Sequence, residues 1–259
     1  MAAYDPLTLA GVIEQRASAS SDLAVLVVEG AGVREDERRT YADLWENGRR
    51  LAAGLRELGL GPGDMVGTLL ANHAEFVDLM VAGSLLGIVL VPIDPRTRGG
   101  KLVFMLASAK CKGVIAGDYA LAELLRVRDQ VAGLRWIVGL PTDEGRATAA
   151  QLQAAGVRPY GELAGVDLPT VTLPGSIPDG PMELIYTSGT TGDPKGIVLT
   201  NRNLIAEGMQ AAAWGGMAQG DSILAVLPIF HGFGLGVCIN AVFMAGGRSI
   251  LVPQFSPEI

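Results

Sequence analysis

Cysteine and histidine are scarce in this chain. Cys111 and Cys238 stand far apart, and His73 and His231 are the only imidazoles, so no nitrogen or sulfur cluster for zinc can be drawn. Reduced thiols in a cytoplasmic protein are the expectation, and both cysteines read as small buried side chains. Runs of one charge are also missing. No lysine or arginine run exceeds a pair, and 27 acidic against 20 basic residues give a net charge of -7, a balance that argues against nucleic acid as a partner. The longest apolar stretch, Ser84 to Ile93, is too short and too interrupted by glycine to span a bilayer. The first residues, MAAYDPLTLAGVIEQ, lack the basic and apolar regions of a secretory signal. There is no repeat, heptad or low-complexity tract.

What the chain does have is apolar residues, 49% of 259, enough for one large domain or two modest ones around a buried core. They come in short runs separated by helical patterns. Thr8 opens a helix through Leu9, Val12 and Ile13, and LAVLVVE (Leu23 to Glu29) is a buried strand. Thr40 and Asp43 form a capping box before a helix whose Leu44, Leu51, Leu55 and Leu58 share a face, and Gly59 closes it. MVGTLLA follows as a strand, then a helix that Asn72 can cap with Glu75 three residues on, then IVLVPI. KGVIAG, a helix from Asp118 to about Asp129, and RWIVGL continue the alternation.

From 141 to 181 the composition turns to Pro, Gly, Ala and Asp, with at most one short helix near Ala147 to Ala155. Beyond lie MELIYTS, GIVLT, a helix after Asn201, SILAVLP, a helix after Gly234, and SILVP. The order predicts an α/β fold of mostly parallel sheets flanked by helices. The expected division is a first α/β subdomain over 1–140, a connector over 141–181, and a second, incomplete α/β subdomain over 182–259. Trp214 and the other apolar helix residues are expected in the core.

One stretch carries chemistry. In YTSGTTGDPKG, Tyr186 to Gly196, a strand runs into a loop of glycines and hydroxyls that ends in Lys195, at the carboxyl edge of a sheet where ligands bind in open α/β folds. Glycines let backbone N–H groups approach an anion, hydroxyls of Thr187, Ser188, Thr190 and Thr191 add donors, and Lys195 adds charge. Those are the requirements of a triphosphate cradle. The string is neither a Walker A loop, because Gly196 follows the lysine where Ser or Thr is needed, nor a nucleophile elbow, because Tyr186 precedes Ser188 by two where glycine is needed.

This loop closely resembles the signature phosphate loop of the acyl-adenylate-forming enzymes, the AMP-binding superfamily that includes acyl-CoA synthetases, fatty acyl-AMP ligases and peptide-synthetase adenylation domains. RTYADLWENGRRLAAGL, GSLLGIVLVPIDP and LPIFHGFGLG are similar to three further motifs of that family, in the right order. The resemblance implies a ligase that joins a carboxylic acid, fatty by expectation, to ATP as acyl-AMP, releases pyrophosphate, and passes the acyl group to a thiol of CoA or of a carrier protein's phosphopantetheine. It implies that Thr187, Ser188, Gly189, Thr190, Thr191, Gly192 and Gly196 wrap the β and γ phosphates, that Lys195 neutralises them catalytically, and that the Thr190 hydroxyl is a ligand of Mg2+.

LPIFHGFG bears on the acid. Amino-acid-activating relatives place an aspartate in this motif for the substrate amine, whereas this chain has His231. The resemblance therefore implies an acyl pocket bordered by Phe230, His231 and Gly232, with His231 also counted as catalytic. His73 is expected to be structural.

The family's later motifs do not occur within the 259 residues, and VPQFSPEI ends with Ser256 as an apparent N-cap and Pro257 at the first helical position. The expectation is an N-terminal fragment of a longer adenylating enzyme, inactive alone. Two other readings stay open, a fragment of an amino-acid adenylation domain and a non-catalytic nucleotide-binding module that works beside a second chain.

Overall fold

The computed structural model describes residues 4–29, 36–168, 173–187 and 193–253. The chain alternates strands and helices: α1 (Leu9–Ala19), β1 (Ala24–Val28), β2 (Glu37–Thr40), α2 (Tyr41–Glu57), β3 (Met65–Leu69), α3 (Ala74–Leu86), β4 (Val89–Pro92), α4 (Gly99–Ser108), β5 (Gly113–Gly117), α5 (Asp118–Val127) and β6 (Trp136–Leu140). Then come α6 (Ala149–Ala154), β7 (Arg158–Pro159), α7 (Tyr160–Ala164), β8 (Pro181–Thr187), β9 (Lys195–Thr200), α8 (Asn201–Gly215), β10 (Ser222–Ala225), α9 (Gly232–Leu235), α10 (Ala241–Ala245) and β11 (Arg248–Leu251). A π-helical stretch, Gly236–Asn240, makes one continuous helical rod of α9 and α10.

Two sheets result. The larger has the order β7-β6-β5-β3-β4-β8-β9, and the smaller β10-β11-β1-β2. All pairs are parallel except β8 with β9 and β1 with β2. Parallel strands need helical crossovers that cover both faces. One core joins the two sheets through α1, α2 and α3, while α4, α5 and α6 cover the other face of the larger sheet. Every residue of α3 but Glu75 is buried, so this helix is surrounded by protein. Among the described residues, no helix is long and apolar enough to cross a membrane.

Local signals did their work at several helix starts. The Thr8 side chain accepts from the Gly11 N–H, and Thr40 and Asp43 form the full capping box, satisfying donors that a helix start leaves open. Gly59, with φ of 81°, closes α2 in the left-handed region.

Three expectations change. Asn72 does not cap α3, because His73 occupies the N-cap without a side-chain bond and the Asn72 amide is engaged elsewhere. Trp214 is 93% exposed, since it falls off the face of α8 on which Leu204, Ile205, Gly208 and Ala212 are buried. The 141–181 segment carries two helices and a strand, with β7 added to the larger sheet beside β6. Each sheet takes strands from both sides of that segment, with β8 and β9 in the larger and β10 and β11 in the smaller. The helix start at Ser256 lies outside the described residues. Cys111 and Cys238 are buried free thiols, and burial pushes the Cys111 thiol up to about 12.

Candidate active site

β8 and β9 form the antiparallel arms of the phosphate-loop motif, with Thr187 opposite Lys195 on the last rung and the Thr187 hydroxyl donating to the Lys195 carbonyl at 3.4 Å. Below that rung, Tyr186 anchors β8 to α4: its hydroxyl donates to the Met105 carbonyl at 2.9 Å and lies 2.5 Å from the Ser108 hydroxyl. Opposite Tyr186, Gly196 leaves room for its neighbours, since a side-chain carbon there would lie 3.0 Å from Leu184 and 3.5 Å from Tyr186. Thr187 and Lys195 are exposed, and Lys195 has no ion-pair partner among the described residues. Ser188, Gly189, Thr190, Thr191 and Gly192 lie outside the described residues.

The LPIFHGFG motif sits beside these arms. Phe230 is half-buried against the central core. His231 is exposed at the N-cap of α9, where its Nδ1 accepts the Phe233 N–H at 3.4 Å. A side-chain carbon at Gly232 would meet the Ile185 Cδ1 at 3.7 Å, which puts the start of α9 two residues below Thr187 on β8. The rod then widens into its π-helical turn, a feature common at functional sites. A Cβ at Gly236 would fall 2.1 Å from Oε1 of Glu207, so a larger residue there would have to push the Glu207 carboxylate aside.

A pocket of ≈ 400 Å³ opens between the two sheets, with Asn72, Arg96, Arg98, Tyr119, Pro228 and Phe230 among its lining residues. Each of these follows the carboxyl end of a parallel strand: Asn72 after β3, the arginines after β4, Tyr119 after β5, and Pro228 and Phe230 after β10. This is where open α/β folds bind ligands. Of the three residues expected to border an acyl pocket, Phe230 lines this one. The Tyr119 hydroxyl accepts the Ala71 N–H at 2.8 Å and lies 3.1 Å from Nε2 of His73, with the two rings stacked at 5.9 Å. Burial raises the Tyr119 phenol, which stays protonated. Arg96 is held by both carboxylate oxygens of Asp94, and Arg98 donates to the Pro95 carbonyl at 2.6 Å.

Asn72, Arg96, Arg98 and Tyr119 carried no motif in the sequence. Their shared position, just past a predicted strand end, was the signal that could have found them. Glu183 was missed as well. It is fully buried on β8, neither carboxylate oxygen has a partner among the described residues, and burial together with the nearby Glu207 pushes it up to about 8.

A family model described as AMP-binding enzyme matches residues 13–259. The chain belongs to this family. Among its AMP-binding relatives, the sulfoacetate–CoA ligase of Cupriavidus necator is 30% identical over 252 residues, which are 96% of this chain and 46% of that protein. The 4-coumarate–CoA ligase of Vanilla planifolia is 32% identical over 232 residues, 85% of this chain and 39% of that one. The solved structure of a Mycobacterium tuberculosis fatty acyl CoA synthetase superposes with a TM-score of 0.76 at 28% identity, covering 96% of this chain and 45% of that one. The chain thus spans less than half the length of each of these relatives and has the mixed α/β architecture of the N-terminal part of AMP-binding CoA ligases.

Among the described residues no group of three or more His, Cys, Asp or Glu side chains could hold a metal ion. Thr190, to which the resemblance gives the magnesium, lies outside them. A hydroxyl oxygen is the hard donor that magnesium takes when phosphate oxygens complete its shell, so the chemistry of the loop fits this ion.

Proposed function

We propose that this chain is the phosphate-binding part of an acid–CoA ligase that activates a carboxylic acid, fatty in class, as acyl-AMP. The carboxylate oxygen attacks the α phosphorus of ATP, the bond to the β phosphate breaks, and pyrophosphate leaves. The thiol sulfur of CoA, or of a carrier protein's phosphopantetheine, then attacks the acyl carbon and AMP leaves. Both reactants of the first step are anions, so the site must offset charge and hold the groups in line.

The observation that carries this reading is the placement of Lys195. It is exposed on the last rung of β8–β9, at the carboxyl edge of the larger sheet, shortly after the glycine- and hydroxyl-rich stretch of sequence, with the start of α9 against β8. Thr187, Ser188, Gly189, Thr190, Thr191, Gly192 and Gly196 supply donors and close approach for the β and γ phosphates. When bound, Mg2+ neutralises phosphate charge, with Thr190 as its protein ligand.

Phe230, His231 and Gly232 border the acid. His231 offers no anion for a substrate amine, and the rod behind it is apolar through Phe233, Leu235 and Val237. Both features favour an acid with an apolar body over an amino acid. Acid-dependent exchange of labelled pyrophosphate into ATP, measured for a protein that carries this chain at the length of its relatives, tests the reading. Fatty acids are expected to support exchange and amino acids to fail; exchange with no acid, or with amino acids alone, would overturn it. The 259-residue chain by itself is expected to be inactive in the same assay.

A further inference from the structure

The amide of Asn72 is engaged entirely by the other sheet. Asn72 follows β3 in the larger sheet and is 5% exposed. Its nitrogen lies 3.2 Å from the Ala225 carbonyl, 3.1 Å from that of Leu227 and 3.2 Å from that of Val252, and its oxygen accepts the Ile229 N–H at 2.9 Å. Two N–H hydrogens serve three carbonyls, so at least one is shared. These backbone groups lie at or just past the ends of β10 and β11, where the ladder stops and buried polar groups need other partners. Phe230 and His231 follow Ile229 directly, and Phe230 forms a wall of the pocket to which Asn72 itself contributes.

We infer that Asn72 is a positioning residue, which fixes the 225–229 backbone and so sets the Phe230 wall of the pocket, and His231 after it, against the larger sheet. The residue type follows from the bonds. The site asks for an acceptor and a pair of donors on one short side chain: aspartate lacks the donors and would turn an anion toward three carbonyl oxygens, and leucine of similar size bonds to nothing. The kinetic consequence rests on the adenylation reading above, whereas the structural consequence does not.

Two measurements separate these. In the 259-residue chain, hydrogen exchange of Asn72→Ala is expected to speed up roughly tenfold or more at the Ile229 amide and its neighbours over 226–231, with β3, β4 and α3 still protected, and Asn72→Gln is expected to restore part of the protection. In the protein at the length of its relatives, Asn72→Ala is expected to raise KM for the acid about tenfold and KM for ATP less than about twofold. Equal loss of protection throughout, unchanged exchange over 226–231, or KM values that rise together would each overturn the inference. A wild-type protein without acid-dependent exchange would refute the adenylation reading, and the hydrogen-exchange result would still decide the role of Asn72.

Discussion

Thr187 and Lys195 are register partners on the rung that closes the antiparallel pair β8–β9, with the threonine hydroxyl donating to the lysine carbonyl. That pairing holds the Lys195 backbone in the sheet while its side chain stays exposed. A cation held so is ready for an anion and carries little packing.

Lys195→Ala is therefore expected to lower pyrophosphate release by about 10²- to 10³-fold, the usual loss for one electrostatic contact to developing charge. Its melting temperature should stay within about 2 °C of wild type, because an exposed side chain away from caps and cores changes stability by under about 0.5 kcal/mol. Wild-type release in the variant would contradict the phosphate role.

His231 bears on the acid more than on the nucleotide. Its N-cap bond to Phe233 is long at 3.4 Å, so little stability depends on it. Replacement by leucine is expected to shift relative kcat/KM among acids by about tenfold or more while changing KM for ATP by less than about twofold. An acid profile that stays the same would remove His231 from the pocket.

Stability should fall with rising pH through a window set by Glu183. Burial and Glu207 raise its carboxyl from the ordinary 4.5 to about 8, so the folded chain keeps a proton that the unfolded chain gives up. Across that window the unfolded state binds fewer protons, and each pH unit costs up to about 1.4 kcal/mol. Asp78 adds the same sign between 3.8 and about 7, since burial outweighs the Arg39 guanidinium 3.7 Å away. Denaturant melts of Glu183→Gln from pH 5 to pH 8 should show a flatter profile than wild type. An unchanged slope would show that Glu183 is ionised in the folded protein.

Much of the fold was legible because local signals act through the backbone. Thr8, and Thr40 with Asp43, cap the helices they announce, and the apolar runs become strands with bounds close to those expected. Strand pairing was not legible, because periodicity says which face is buried and nothing about the neighbour. Leu26 lies opposite Ser249 and Leu90 opposite Glu183, across long stretches of chain. Asn72 shows the same limit from another side: a residue type that suits a cap suits any buried cluster of backbone groups, and only the approach of the smaller sheet decides which it serves. The glycine- and hydroxyl-rich motif was visible because it lies in consecutive residues, whereas the pocket gathers residues that follow β3, β4, β5 and β10 and has no linear signature.

Trp214 offers a check on the corrected part of that picture. At 93% exposure its indole should emit at long wavelength and be quenched by iodide, in contrast to the partly buried Trp45 and Trp136. Trp214→Ser is expected to remove the quenchable component and to shift stability by no more than about 0.5 kcal/mol. A larger loss of stability would place the side chain in a core.

The most direct test of the central claim is mass-spectrometric detection of acyl-AMP, with ATP, Mg2+ and a panel of fatty, aromatic and amino acids, on a protein that carries this chain at the length of its relatives. The account predicts acyl-AMP from a fatty acid with one pyrophosphate per adenylate, and its loss in Lys195→Ala. ADP and phosphate as the nucleotide products, or no acyl-AMP from any acid, would contradict it.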